Sequence, residues 1–174
     1  MIDLKPFCGV DPFRSYLHEP FSRGDYTYAT DGCLCLRVSL RPQVKGHEKA
    51  PNPEKLGWMS EAEFILLDIH LPADEDHECE NCDGSGREHQ CPDCECECPR
   101  CEGTGHLSSD RDGSVEIRGI AFAMEYIRKI LTLPGIAMAR DTKATAATMF
   151  RFKGGDGLLM PLRGKRLNHI VGQK

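Results

Sequence analysis

Two stretches, CENCDGSG at 79–86 and CPRCEGTG at 98–105, limit what this chain can fold into more than any others. Each has the form CxxCxGxG, and CPDCEC lies between them, so seven of the ten cysteines fall within residues 79–101. Residues 72–114 show no apolar periodicity, and a segment without an apolar face needs a staple to fold. A CxxC turn holds two sulfurs at a separation that suits two corners of a tetrahedron, and two such turns supply four thiolates for a metal. The glycines that follow let backbone N–H groups point at the sulfurs and share their charge. Pairing the two complete motifs gives Cx2C-x15-Cx2C, with Cys79, Cys82, Cys98 and Cys101 as ligands of one structural zinc ion. His89, Cys91, Cys94 and Cys96 leave room for a second zinc, although a one-residue spacing suits two ligands poorly. Disulfides or a redox relay are the other chemistry open to paired cysteines. Four thiolates close a coordination sphere and leave no position for water, so the expected role is folding rather than catalysis.

The rest of the chain is ordinary in composition. With 174 residues, 40% hydrophobic and 28% charged, it suits one soluble domain with an appendage. No apolar run approaches the roughly 20 residues of a membrane span. The start, MIDLKPFCGVDPF, lacks the basic and apolar regions of a secretory signal. The expectation is a cytoplasmic protein away from membranes, where thiols stay reduced and clustered cysteines favour metal. The net charge of −5 is unevenly spread. Residues 73–102 carry eleven acidic residues against two arginines, and the remainder has twenty basic against sixteen acidic. The mildly basic body therefore remains compatible with nucleic acid.

Asp11 and Pro12 predict a short helix closed by Pro20, with Phe13, Tyr16 and Leu17 on one face and Arg14 and His18 on another. DYTYATDGCLCLRVSL predicts a strand, a turn at Asp31–Gly32 and a second strand. Residues 41–60 read as loop and 63–71 as a strand. SVEIRGI predicts a strand, and AFAMEYIRKIL a helix burying Phe122, Tyr126, Ile127, Ile130 and Leu131. GIAMAR, ATMFRF and GLLMPL predict three further strands. No GxSxG, Walker loop or HExxH is present, so the chain is expected not to be an enzyme.

The segment 79–105 resembles the cysteine-rich domain of DnaJ-type chaperones and the small zinc protein anti-TRAP. Two repeats are complete here and no HPD-bearing J-domain accompanies them. The resemblance implies a zinc-stabilised hairpin that serves protein contacts. The body resembles a different family. YTYATDGCLCLRV, VEIRGIAFAMEYIRKILTLPGIAMA and GLLMPLR resemble, in order, segments of the bacterial sliding clamp, the β subunit of DNA polymerase III, over about 1–45 and 115–165. Cys33 and Leu34 stand where that family has His and Arg, and the chain runs on past its MPLR.

These resemblances imply an α+β fold: a clamp-like domain of two helices against antiparallel sheets over 1–71 and 109–174, with 72–108 as an inserted zinc-binding hairpin. A single clamp-type domain surrounds DNA only as a homo-oligomer. The helix residues Arg14, His18, Arg128 and Lys129 would then face duplex DNA without sequence preference. Alternatively, Thr30, Asp31, Gly32, Leu34 and Leu36 with Met160, Pro161, Leu162 and Arg163 would line a pocket for a peptide of a replication protein. The function implied is DNA replication or its regulation. A zinc-ribbon adaptor that contacts only protein, and a thiol oxidoreductase using exposed CxxC pairs, are the alternatives.

Overall fold

The computed structural model describes residues 2–58, 62–87, 96–108, 113–140 and 146–162. Strands β1 (Phe21–Arg23), β2 (Tyr26–Thr30) and β3 (Leu34–Ser39) come from the N-terminal part of the chain. β4 (Phe64–Leu66) precedes the cysteine segment, which carries β5 (Asp76–Glu78) and β6 (His106–Ser108). β7 (Ser114–Ile117), β8 (Ile120–Ala123), helix α1 (Met124–Leu131), β9 (Ala137–Ala139), β10 (Thr148–Phe152) and β11 (Gly155–Leu159) follow. Seven strands form one sheet in the order β1-β2-β3-β11-β10-β9-β4, and β5-β6 and β7-β8 are separate two-stranded sheets. Every described strand pairing is antiparallel. The fold is thus mixed, with mostly antiparallel sheet.

The β2–β3 turn is built by side chains. Asp31 Oδ1 accepts from the N–H groups of Cys33 and Leu34, each at 2.9 Å. Thr30 Oγ1 donates to Leu34 O at 2.7 Å and accepts from Gly32 N–H at 3.1 Å. Gly32 takes φ 102°, which side-chain-bearing residues rarely adopt. Past this turn the two-residue period of β3 sends Leu34, Leu36 and Val38 to one face and Cys35 and Arg37 to the other.

Both faces of the sheet are covered. On one, Leu34, Leu36, Phe150 and Leu159 pack with Val115 and Phe122 of the β7–β8 hairpin and with Ile127 and Ile130 of α1. On the other, Phe21, Tyr28, Cys35, Met149 and Leu158 lie against Ala50 and Trp58. The outer face also carries a row of charge. Asp156 sits between its cross-strand neighbours Arg37 and Arg151, at 3.1 and 3.3 Å. Arg37 stacks on Trp58 at 3.9 Å, and Arg151 on Phe64 at 4.1 Å. The guanidinium planes pack on aromatic rings while their charge is answered by one carboxylate.

Several sequence expectations change. The helix expected after Asp11 is a 3-10 turn, Pro12–Leu17, with non-helical φ −121°, ψ 46° at Arg14. Asp11 does cap it, accepting from Phe13 N–H, but six residues are too few to sustain α-helix unaided. The kink separates Phe13 from buried Leu17, and Phe13 is 94% exposed instead of packed. SVEIRGI continues into a hairpin whose turn residues Arg118 and Gly119 both have positive φ. Such turns match strand twist, so Phe122 reaches the core from β8 and the helix begins only at Met124. The strand expected over 63–71 pairs only at 64–66, and β1 was not anticipated.

Gly157 faces Phe150 across the ladder, and a Cβ there would sit 1.9 Å from the buried ring's Cζ. Gly157→Ala should therefore cost at least about 2 kcal/mol, seen as a lowered midpoint in urea unfolding with an unchanged slope.

Candidate metal centre

The cysteine segment folds as two copies of one turn. Cys79 and Cys98 begin copies related by a shift of 19 residues, and the internal contacts repeat at that offset. Cys79 N–H donates to Gly105 O, and Cys98 N–H to Gly86 O, both at 2.8 Å. Ser85 Oγ donates to Cys82 O at 2.6 Å, and Thr104 Oγ1 to Cys101 O at 2.7 Å. Gly86 N–H donates to Cys82 Sγ at 3.3 Å, and Gly105 N–H to Cys101 Sγ at 3.2 Å. Each copy thus closes onto the other about an approximate two-fold axis. The β5–β6 stem lies at one end and an Arg87–Glu97 bridge at the other.

The glycines are required by contact as well as by φ. Gly86 and Gly105 have φ 73° and 78°. A Cβ on Gly86 would lie 2.3 Å from Gly103 O, and one on Gly105 would lie 2.2 Å from Gly84 O. Backbone has no flexible end to move aside, so each copy leaves space for the other only as glycine.

The four sulfurs of Cys79, Cys82, Cys98 and Cys101 lie within 4.8 Å of one another. Cys79 and Cys98 are 3.9 Å apart, and Cys82 and Cys101 3.7 Å. A tetrahedron with metal–sulfur bonds of about 2.3 Å has edges of about 3.8 Å, so the arrangement can hold one metal ion. All four cysteines are buried, and among the described residues Leu107 is their only companion in the cluster. The Asn81 amide donates to Cys98 Sγ at 3.4 Å. A backbone hydrogen bond from Cys101, aided by Asn81, lowers the Cys98 thiol below its ordinary value, while burial raises that of Cys79. Asn81 was not anticipated as part of the site, because either x position of CxxC can point outward.

Cys96 is exposed and stands apart from this group, whereas His89, Cys91 and Cys94 lie outside the described residues. The basic candidates are already engaged. Arg14 Nε is 3.5 Å from Asp11 Oδ2, and His18 Nε2 is 2.7 Å from Asp11 O. Arg128 Nη2 donates to Pro72 O at 2.6 Å, and Lys129 Nζ lies 5.2 Å from the centre of the Tyr126 ring.

The peptide-pocket candidates come together across the β3–β11 ladder. Leu34 faces Leu159, and Met160 N–H donates to Cys33 O at 2.9 Å. Leu34 and Leu36 are wholly buried in the core, and Thr30 and Pro161 are buried as well. Asp31, Gly32, Met160 and Leu162 reach the surface, the last two 36% and 37% exposed, and Arg163 lies outside the described residues. Residues 9–14 flank the same turn: Gly9 N–H donates to Thr30 O, and the Arg14 guanidinium lies beside Gly32. Val10 and Phe13 are 90% and 94% exposed there. Tyr126 arrives from α1, where burial and the nearby Asp31 and Cys33 push its phenol up. Exposed Phe13 could not be foreseen from an amphipathic pattern that placed it inside.

Searches against protein-family models, curated proteins and solved structures return no match to this chain.

Elemental analysis of the purified protein should find about one metal ion per chain, and Cys98→Ser should abolish it. Gly86→Ala should lower metal affinity by at least about tenfold, since the copies can no longer close. Both are measured by competition with a chromogenic chelator.

Proposed function

We propose that this is a non-enzymatic, clamp-like protein of DNA replication or its control, stapled by one zinc ion, that binds a short apolar peptide of a replication protein. One observation carries the reading. Residues 30–36 and 160–162, far apart in sequence, meet at one place with Met160 and Leu162 partly exposed, and residues 9–14, with exposed Val10 and Phe13, flank the same β2–β3 turn. Exposed apolar side chains that cluster mark a contact surface. The sliding-clamp resemblance assigns the same two segments to a peptide pocket, although in that family they belong to different domains.

Zinc is the ion favoured by the donors. A closed set of four thiolates with tetrahedral spacing is the usual donor set of structural zinc. Bound there, it would supply folding energy to residues 76–108, and Cys79, Cys82, Cys98 and Cys101 would hold it. No helix among the described residues is long and apolar enough to cross a membrane.

The reading is tested by fluorescence anisotropy of a labelled apolar peptide of the clamp-binding type against the zinc-loaded full chain. A dissociation constant of about 1–100 µM is expected, and Met160→Asp or Leu162→Asp should weaken it at least about tenfold with Tm preserved. Absence of peptide binding, with salt-dependent duplex binding that both variants retain, would move the function to phosphate contact. Binding neither peptide nor DNA would leave the zinc-ribbon adaptor.

A further inference from the structure

The two edges of the seven-stranded sheet are treated differently. On β1, the outward residue is Ser22. Its N–H donates to Lys45 O at 3.1 Å, and Gly46 lies so close to its carbonyl that a Cβ would be 3.1 Å away. That edge is taken by the chain's own loop. On β4, Arg140 N–H donates to Glu63 O and Leu67 N–H to Ile136 O. With the register Ile65–Met138, this turns the backbone of 63, 65 and 67 toward β9. The N–H and C=O groups of Phe64 and Leu66 therefore face outward, and no described backbone group meets them. The strand reads Phe-Ile-Leu, with Ile65 36% and Leu66 70% exposed. It has none of the charge, proline or bulge with which edge strands resist pairing.

We propose that β4 is a self-association edge and that its partner is β4 of a second copy of this chain, related by a two-fold axis at Ile65. Because β1 is blocked, head-to-tail pairing of sheets through their two edges is closed, and a β4 edge unpaired among the described residues meets its like. The geometry closes on itself. In an antiparallel pair about Ile65, Phe64 exchanges N–H···O=C bonds with Leu66 of the second copy, and Leu66 with its Phe64. Phe64 and Leu66 lie on one face of the sheet, so each aromatic ring meets an aliphatic side chain across the axis, a favourable cross-strand pair. Ile65 meets its own copy on the other face. Charges are compatible: Glu63 falls opposite Leu67 and Asp68 opposite Ala62, so no like charges are juxtaposed. Three apolar residues and one short ladder fall well below the about 1,600 Å² of a standard interface. The dimer is accordingly weak and forms by mass action in the micromolar range. This assignment is independent of the peptide-binding reading.

Sedimentation equilibrium of the zinc-loaded full chain tests it. From about 1 to about 200 µM the mass should rise from monomer toward dimer and no further. Ile65→Lys and Ile65→Glu should each be monomeric at every concentration, with Tm retained. Mixed in equal amounts they should re-associate, because position 65 faces itself across the axis. Leu66→Lys, at a more exposed site, should also be monomeric and serves if the Ile65 variants misfold. A wild-type monomer throughout the range, assembly beyond the dimer, a dimeric Leu66→Lys, or folded Ile65 variants that fail to re-associate would each overturn the proposal.

Discussion

The ladder between β3 and β11 joins the two parts of this protein. It pairs Leu34–Val38 with Gly155–Leu159, and everything on either face of the sheet rests on it. Leu34, Leu36 and Leu159 form the floor on which the β7–β8 hairpin and α1 lie. Cys35 and Leu158 form the floor beneath Trp58 and Ala50. Contacts so distant in sequence cost loop entropy, but that cost grows only with the logarithm of loop length. The cysteine segment lowers it further. The β5–β6 stem brings Asp76 opposite Ser108, so the chain enters and leaves the segment at one place.

Within that segment, four converging cysteines that could hold a metal ion stand where a core would be. Among the described residues its cluster consists of four cysteines and Leu107, little apolar surface to offset the ordering of the segment. A metal ion held there would favour the folded arrangement over the open chain, so its binding energy would become folding energy for this part of the molecule. The approximate two-fold adds economy of sequence, since one short motif written twice supplies its own partner. Glycine at 86 and 105 is the condition for that closure, because each would otherwise strike the other copy's backbone.

Much of this was legible beforehand, and the reasons differ by region. TYATDGCLCLRV alternates apolar residues around an Asp-Gly turn, and β2 and β3 lie where that pattern puts them. The ligand set of Cys79, Cys82, Cys98 and Cys101 followed from complete CxxCxGxG motifs, and those sulfurs converge. β1 has only three residues, too few for a period to register. The β7–β8 turn was hidden because Arg118, not a glycine or asparagine, opens it at φ 52°. Phe13 misled because helical spacing was assumed through Arg14, where the backbone leaves the helix. The Asn81 amide on Cys98 and the engagement of Arg128 by Pro72 depend on tertiary placement that no local pattern encodes.

The position of β11 late in the chain has a consequence during synthesis. β3 is complete about 115 residues before β11 begins, and at about 5–20 residues per second the ribosome needs roughly 6–25 s to span that gap. Throughout that interval Leu34, Leu36 and Val38 have no ladder on one side, and the helix that covers them is made only near its end. The acidic turns leave the tunnel in the meantime, and the contacts that pair their two copies lie within the segment itself.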